Sequence, residues 1–513
     1  MFRFKKIRTY HLVILFSVIF WYFALSNISS DFSELGGDSA QYIIIANSIN
    51  NFTGYRAINF PQEPFVTHYP PVFPLLLAVV IFLFGNNFFL MHVLIVLFGY
   101  LSLGAVFLLL KKYWQNKYVF LIIVFFAFSF SYVIYSTKNI LSDIPYLFFS
   151  IFSIFWLERY IYQKKILTKE AFLTAVFILL SFFCRYLGVS IFIAAIVALI
   201  IKREFRKASF ISSIFLLAIA AWSICAAIKS AHLFGEHLKL FSYANPYLPN
   251  QGKMLLQPQY LMERLISGLS YYYKIIGESI IIVPLGLNYK LPSFLNIASV
   301  FIVLSGLISR FIKSKYCSIH YYFLVYLFMI IISNHGVFGE GKRYILPILP
   351  LLFFYFFSGL KWTVGFLKLK IRGYIFWTLT IALFISNLFF LSQNLRHYKG
   401  LESLSKPGIN FLLAHRWMAE NLTDEAVIYS RKPTVTYLYT GHKSVCYPFT
   451  HELGKIYDDL ICNNVKYIVV DEFSYITWNY LDPFVEKYRD NVSLLHQVGD
   501  TAVFRVEIEE KNN

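Results

Sequence analysis

The 513-residue chain is 58% hydrophobic and 20% aromatic, with a mean hydropathy of +0.59. Only 14% of its residues are charged, against about 25% in soluble domains. This excludes a soluble globular protein and points to a polytopic α-helical membrane protein. The net charge of +18 follows from membrane topology and inner-leaflet contact, so no nucleic-acid partner is needed to account for it.

The basic start MFRFKKIRTY runs into an apolar stretch without a small-residue cleavage site, which reads as a retained anchor spanning 10–28. Further runs near the roughly 20 residues a bilayer requires predict spans at 88–110, 118–136, 144–162, 209–230, 294–312, 319–335, 344–361 and 374–392. The apolar block 171–201 is interrupted by Cys184-Arg185-Tyr186 and reads as two short spans meeting at Arg185, for about 11 spans in all. Pro70–Phe84 and Ile275–Leu287 are short and contain proline, which suits re-entrant or surface-lying helices. With this layout the inner loops hold 22 Lys and Arg, and the longer outer loops before the last span hold 10. The positive-inside rule then gives an N-in, C-out arrangement.

Beyond Leu391 the polarity becomes ordinary, with 13 basic and 16 acidic residues over 393–513. PGINFLLAHRWMAENL has helical spacing; AVIYS, VKYIVVDE and the pair around Gly499-Asp500 read as strands and a hairpin. The expected division is a membrane domain, 1–392, with outer loops 29–87 and 231–293, and an extracytoplasmic small α/β domain, 393–513. Cys446 and Cys462 in the outer domain are read equally well as a disulfide or as two thiols. No CxxC, HExxH or Walker-type loop occurs, so no metal site is assigned and no cofactor is demanded. A divalent cation remains open, His335 and Glu340 being weak candidate ligands.

The informative residues are the acids and cations of the outer loops. Asp38 follows Gly36-Gly37 and precedes SAQYIIIANSI, which places its carboxylate at a helix N-terminus. Asp143 lies in KNILSDIPYLFF on the same face, with Pro145 opening the next helix. Either position is also explained by simple helix capping. Two such acids at equivalent depth suit a general base that deprotonates an acceptor and a second acid that positions the acceptor or holds a cation. Arg185 at membrane depth is costly enough to suggest a function. With Lys342 and Arg343 in GEGKRYILPILP, it forms a cluster suited to a phosphate leaving group. Arg343 is equally a candidate snorkelling anchor. Glu34, Tyr42, His68, Tyr69, Lys138 and Glu340 are further candidate substrate contacts. The segment 231–293, with YANPYLPNQGK and Tyr271 to Tyr273, reads as a cover or lid.

The ordered series GGDSAQY, HYPPVFPLLLA, LSDIPYLFF, CRYLGV and GKRYILPILP resembles the GT-C membrane glycosyltransferases, in particular the group of protein O-mannosyltransferases and lipid A aminoarabinose transferases. The resemblance covers about residues 10–392. It implies a polyprenyl-phosphate-linked sugar as donor, a single inverting displacement, Asp38 and Asp143 as the first- and second-loop acids, and a juxtamembrane helix starting at Pro70-Pro71. Ser39 follows Asp38 where the protein mannosyltransferases carry an Asp-Glu pair, and Tyr69 stands where the aminoarabinose transferases place a Lys before Pro-Pro. The acceptor, whether protein, lipid or glycan, is therefore left open. The expected location is a bacterial inner membrane, with the site on the extracytoplasmic side. The competing reading is a transporter or flippase of lipid-linked sugars, against which stands the scarcity of titratable residues within the spans.

Overall fold

The computed structural model describes residues 9–29, 32, 34–229, 258–281, 292–314, 317–333, 340–366, 371–395, 404–422, 426–472 and 475–507. The chain forms two compact units. One comprises Met1–Asp31, Phe88–Ala220 and Leu261–Lys399; the other comprises Phe32–Asn87, Ala221–Tyr260 and Gly400–Asn513.

The first unit is helical. Among the described residues of the whole chain, five helices are long and apolar enough to cross a membrane: Phe88–Leu110, Phe205–Ile228, Ser293–Lys313, Gly341–Phe366 and Arg372–Asn394. Val13–Asn27, Tyr186–Ile201 and Ser318–Ile332 are shorter apolar helices of the same unit. Apolar segments take this form because backbone N–H and C=O groups have no water to bond in hydrocarbon. Gly341–Phe366 is central, with 89% of its apolar window buried, whereas Arg372–Asn394 has 22% buried and leaves its apolar side chains exposed. The helix Asp143–Tyr160 packs between Phe88–Leu110 and Lys169–Cys184.

The run expected as one span, 118–136, is instead two helices, Asn116–Ala127 and Phe130–Thr137, bent by 56° at Phe128-Ser129. The break frees the Phe128 carbonyl, and the Asn387 side chain donates to it at 2.9 Å. A polar side chain thereby satisfies a backbone group that lipid cannot. The apolar block 171–201 does break at Arg185, whose extended backbone (φ −150°, ψ 136°) separates Lys169–Cys184 from a short 3-10 turn and the helix Val189–Ile201. The helix expected to open at Pro145 begins two residues earlier, at Asp143. Proline is tolerated there because first-turn N–H groups lack intrahelical partners. Of Ile275–Leu287, residues 275–280 end the 23-residue helix Pro258–Ile280, and 282–287 lie outside the described residues.

The second unit combines residues 32–87 with the C-terminal region. Its sheet has the order β2-β1-β3-β5-β4. Strands β1 (Val427–Tyr429), β2 (Lys443–Val445) and β3 (Tyr467–Val470) are parallel, and β4 (Val492–Val498) and β5 (Thr501–Val506) form an antiparallel hairpin joined to β3. The core gathers Tyr429, Tyr447, Ile456, Ile468, Leu481 and Phe484, with Phe60 of the 32–87 segment packed against it. Further ties hold that segment to the domain. Lys443 Nζ donates to the Ile58 carbonyl at 2.7 Å and pairs with Glu63 at 2.5 Å, while the Tyr439 hydroxyl donates to the Phe32 carbonyl. The apolar run after Pro70-Pro71 is a 13-residue helix, Val72–Phe84, packed on the helix Asp38–Asn50. Cys446 and Cys462 are separate thiols.

Candidate active site

Gly37 precedes the helix Asp38–Asn50 with φ 86°, a conformation that costs glycine little and other residues much. It turns the chain so that Asp38 becomes the first helical residue, with Gly37 in the cap position and no side-chain cap bond. The carboxylate thus sits where the helix dipole favours negative charge, yet it does not serve as the cap. The Tyr69 hydroxyl donates to Asp38 Oδ1 at 2.9 Å. Tyr69 is held in turn by edge contacts with Tyr42 (5.0 Å between ring centroids) and His68 (4.9 Å). Glu34 accepts a hydrogen bond from the buried Ser39 hydroxyl. Five sequence candidates of this unit, Glu34, Asp38, Tyr42, His68 and Tyr69, therefore belong to one neighbourhood, and Asp38 is half-buried within it.

Sequence reasoning missed the cations of this neighbourhood. Thr434, at the start of the helix Pro433–Thr440, donates to the Gly37 carbonyl at 3.4 Å, and this helix packs on Asp38–Asn50. The preceding residues, Arg431 and Lys432, come with it. Burial, reinforced by the adjacent Arg431 charge, pushes the Lys432 ammonium below the usual lysine range, while the Asp38 and Asp471 carboxylates pull it back up. A buried network fixes this turn. His415 Nδ1 donates to the Phe411 carbonyl at 2.6 Å, and Nε2 then accepts from the Thr436 hydroxyl at 2.8 Å. Thr436 also bonds Ser430 at 2.7 Å, and Ser430 accepts from the Lys432 backbone N–H at 3.1 Å. One sequence signal was available: two cations directly before a helix N-terminus oppose the dipole, and such a misfit asks for a nearby anion.

In the other unit Asp143 opens its helix likewise, as the first helical residue and without capping it. It is 1% exposed, with Arg185 paired to Oδ1 and Arg343 Nε donating to Oδ2 at 3.0 Å. The guanidiniums are themselves buried, at 9% and 5% exposure. The break at Arg185 is what allows this, since the Cys184 thiol donates to the Ser142 carbonyl at 3.5 Å and sets the two turns side by side. Arg343 Nη1 also donates to Glu340 at 2.8 Å, and Glu340 is 42% exposed. Tyr344 stacks beneath both guanidiniums, at 5.4 Å from Arg185 and 5.9 Å from Arg343. Lys342 stands apart, with Nζ 3.6 Å from Glu278. Lys138 is buried at the end of the helix Phe130–Thr137.

Asp31, His335 and the segment YANPYLPNQGK lie outside the described residues. Among the described residues no group of three or more His, Cys, Asp or Glu is placed to hold a metal ion.

The profile of the dolichyl-phosphate-mannose-protein mannosyltransferase family matches residues 68–230. Among curated proteins no relative matches. Among solved structures, the Archaeoglobus fulgidus oligosaccharyltransferase in its apo form aligns with a TM-score of 0.60 at 13% identity, over 99% of this chain and 75% of its own. The same organism's oligosaccharyltransferase AglB, in complex with an inhibitory peptide and a dolichol-phosphate, aligns with a TM-score of 0.59 at 13% identity, over 99% and 75% of the two chains. ArnT from Cupriavidus metallidurans bound to undecaprenyl phosphate gives 0.58 at 11% identity, over 98% of this chain and 99% of that one. With the mannosyltransferase profile across part of its length and this fold across nearly all of it, the chain is an integral membrane protein of the GT-C glycosyltransferase fold.

Proposed function

We propose that this protein transfers a sugar from a polyprenyl-phosphate carrier to an acceptor at the extracytoplasmic face of the membrane, by a single inverting displacement with Asp38 as general base. The observation that carries the assignment is the setting of Asp38. It is a half-buried carboxylate at the start of a helix, oriented by the Tyr69 hydroxyl at 2.9 Å and lying in the field of the Lys432 ammonium. A base needs an ionised oxygen held in a fixed direction, and these neighbours supply both conditions. The solved relatives that bind a dolichol-phosphate or an undecaprenyl phosphate support a lipid-linked donor.

In this reading Asp38 takes the proton of the attacking acceptor hydroxyl or amine. That oxygen or nitrogen forms its bond to the anomeric carbon as the bond to the carrier phosphate breaks. Arg185 and Arg343 stabilise the departing phosphate, and Asp143 positions them. Each guanidinium offers five N–H donors in a planar fork; Arg343 spends Nε on Asp143 and Nη1 on Glu340. Glu340, the exposed partner, is the one an arriving phosphate replaces. Lys342 serves the same phosphate from the rim, with Lys138 a further donor contact. Glu34, Tyr42, His68 and Tyr69 line the acceptor side, and residues 393–513 aid acceptor selection.

The test is incubation of the purified full-length protein with a panel of polyprenyl-phosphate sugars, following both donor hydrolysis and transfer. Turnover of at least one donor, abolished in Asp38→Asn, is the expected result. A protein that moves intact lipid-linked sugars between leaflets of a vesicle without cleaving any of them is a transporter, and the proposal fails.

A further inference from the structure

The helices Ser293–Lys313 and Leu349–Phe366 cross closely: a Cβ at Gly306 would run into the Tyr355 carbonyl oxygen. At their C-terminal ends they border a cavity of about 470 Å³. Arg310, Lys313 and Lys361 line it, with Trp114 and Trp362 at its wall and no acidic residue among its lining. Arg310 is locked in place. Its Nε donates to Ser358 at 2.8 Å, its Nη1 donates to the Tyr113 carbonyl at 2.9 Å, and its guanidinium stacks 4.4 Å from Trp114 and 4.9 Å from Phe354. Lys361 Nζ lies 4.1 Å over the Tyr118 ring. Among the described residues neither the Lys313 nor the Lys361 ammonium donates a hydrogen bond or closes an ion pair.

We propose that this cavity binds the phosphate headgroup of an anionic diacyl phospholipid. Three cations converge from two helices without an acid in the lining to balance them. A second cavity, of about 750 Å³, shows the contrast: Lys111, Lys112 and Arg159 share it with Glu158 and Glu170, so its charges are offset from within. The C-terminus of Ser293–Lys313 favours nearby cations, which accounts for Arg310 and Lys313 in its last turn. It does not account for two ammoniums left without anions beside a fixed guanidinium. The ligand chemistry is that of a phosphate, which a guanidinium and two ammoniums recognise through charge-assisted hydrogen bonds. Two tryptophans favour a lipid source over a free ion, because indole rings gather at the headgroup level of the bilayer.

Native mass spectrometry of the purified full-length protein, with phosphatidylglycerol and phosphatidylcholine of matched acyl chains in equal amounts, tests this directly. Wild type retains phosphatidylglycerol preferentially. Lys313→Gln and Lys361→Gln each cut that preference about fivefold, the equivalent of ~1 kcal/mol per basic group near an anionic headgroup. Lys111→Gln, in the charge-balanced cavity, leaves the preference unchanged. Equal retention of the two lipids by wild type overturns the site whether or not any variant folds. An equal loss with Lys111→Gln reduces it to a general charge effect. Displacement of the lipid by equimolar inorganic phosphate overturns the lipid assignment in favour of a free-phosphate site.

Discussion

Asp143 and Asp38 occupy the same local position, first residue of a helix after a turn, in the two units of the molecule. Asp143 is enclosed at 1% exposure with a guanidinium on each oxygen. Asp38 is half-buried, bonded by a neutral hydroxyl and influenced by an ammonium that burial itself weakens. A carboxylate whose two oxygens both serve ion pairs acts by holding cations. Asp38, half-buried and oriented by the Tyr69 hydroxyl, is the acid proposed as the base. Partner chemistry, more than placement at a helix start, separates a structural acid from a candidate base.

The strongest way to sharpen this contrast is to remove Asp143. Breaking a buried ion pair while its partners stay buried costs about 3–5 kcal/mol, and here two buried guanidiniums lose the carboxylate they share. Asp143→Ala is expected to lower the thermal unfolding midpoint of the detergent-solubilised protein by many degrees and to abolish donor binding with it. The triple change Asp143→Leu, Arg185→Leu, Arg343→Leu recovers much of the stability without the binding. A stable, active Asp143→Ala would erase the distinction between the two acids.

Acidification probes the unit that carries Asp38. Burial lowers His415 from 6.5 to about 4, so its neutral form is favoured on folding. The sign follows: the stabilisation is complete above pH 6.5, declines as pH falls, and is gone once pH passes below about 4. At pH 5 the loss is about 2 kcal/mol, at 1.36 kcal/mol per pH unit. Hydrogen exchange in the full chain should show residues 406–421 losing protection over that range, and His415→Leu should flatten the dependence. Unchanged protection between pH 7 and 4.5 would contradict the burial argument.

A smaller effect concerns Lys432. Its positive charge favours the ionised form of Asp38, in a setting that also holds Arg431, Asp471, Glu34 and Tyr69. Lys432→Met removes that support, so the acidic limb of the transfer rate should move to higher pH while the rate on the plateau changes little. A downward shift would assign Lys432 elsewhere.

Local chemistry made part of this architecture legible in the sequence. Gly36-Gly37 announced the turn before Asp38, Arg185 announced a broken apolar block, and Gly499-Asp500 announced the hairpin. The remainder depends on partners far along the chain. The bend at Phe128-Ser129 contains no Pro or Gly, and its carbonyl is satisfied by Asn387, 259 residues away. Arg343 reaches Asp143 across 200 residues, which turns a candidate acid into a cation holder. Arg431-Lys432 owe their place to the packing of the helix they precede on Asp38–Asn50, a contact that spans 397 residues of chain between Gly37 and Thr434.

Whether Asp38 is the base is decided by the single-turnover transfer rate of purified Asp38→Asn against wild type, at saturating donor and across pH. Asparagine keeps the size of the side chain and its bond with Tyr69 while removing the proton acceptor. The expected result is a fall of about 10²-fold or more, the usual worth of general base catalysis. The acidic limb should disappear, with thermal stability and donor affinity unchanged. A rate within a few-fold of wild type, with the limb intact, would show that Asp38 only begins a helix.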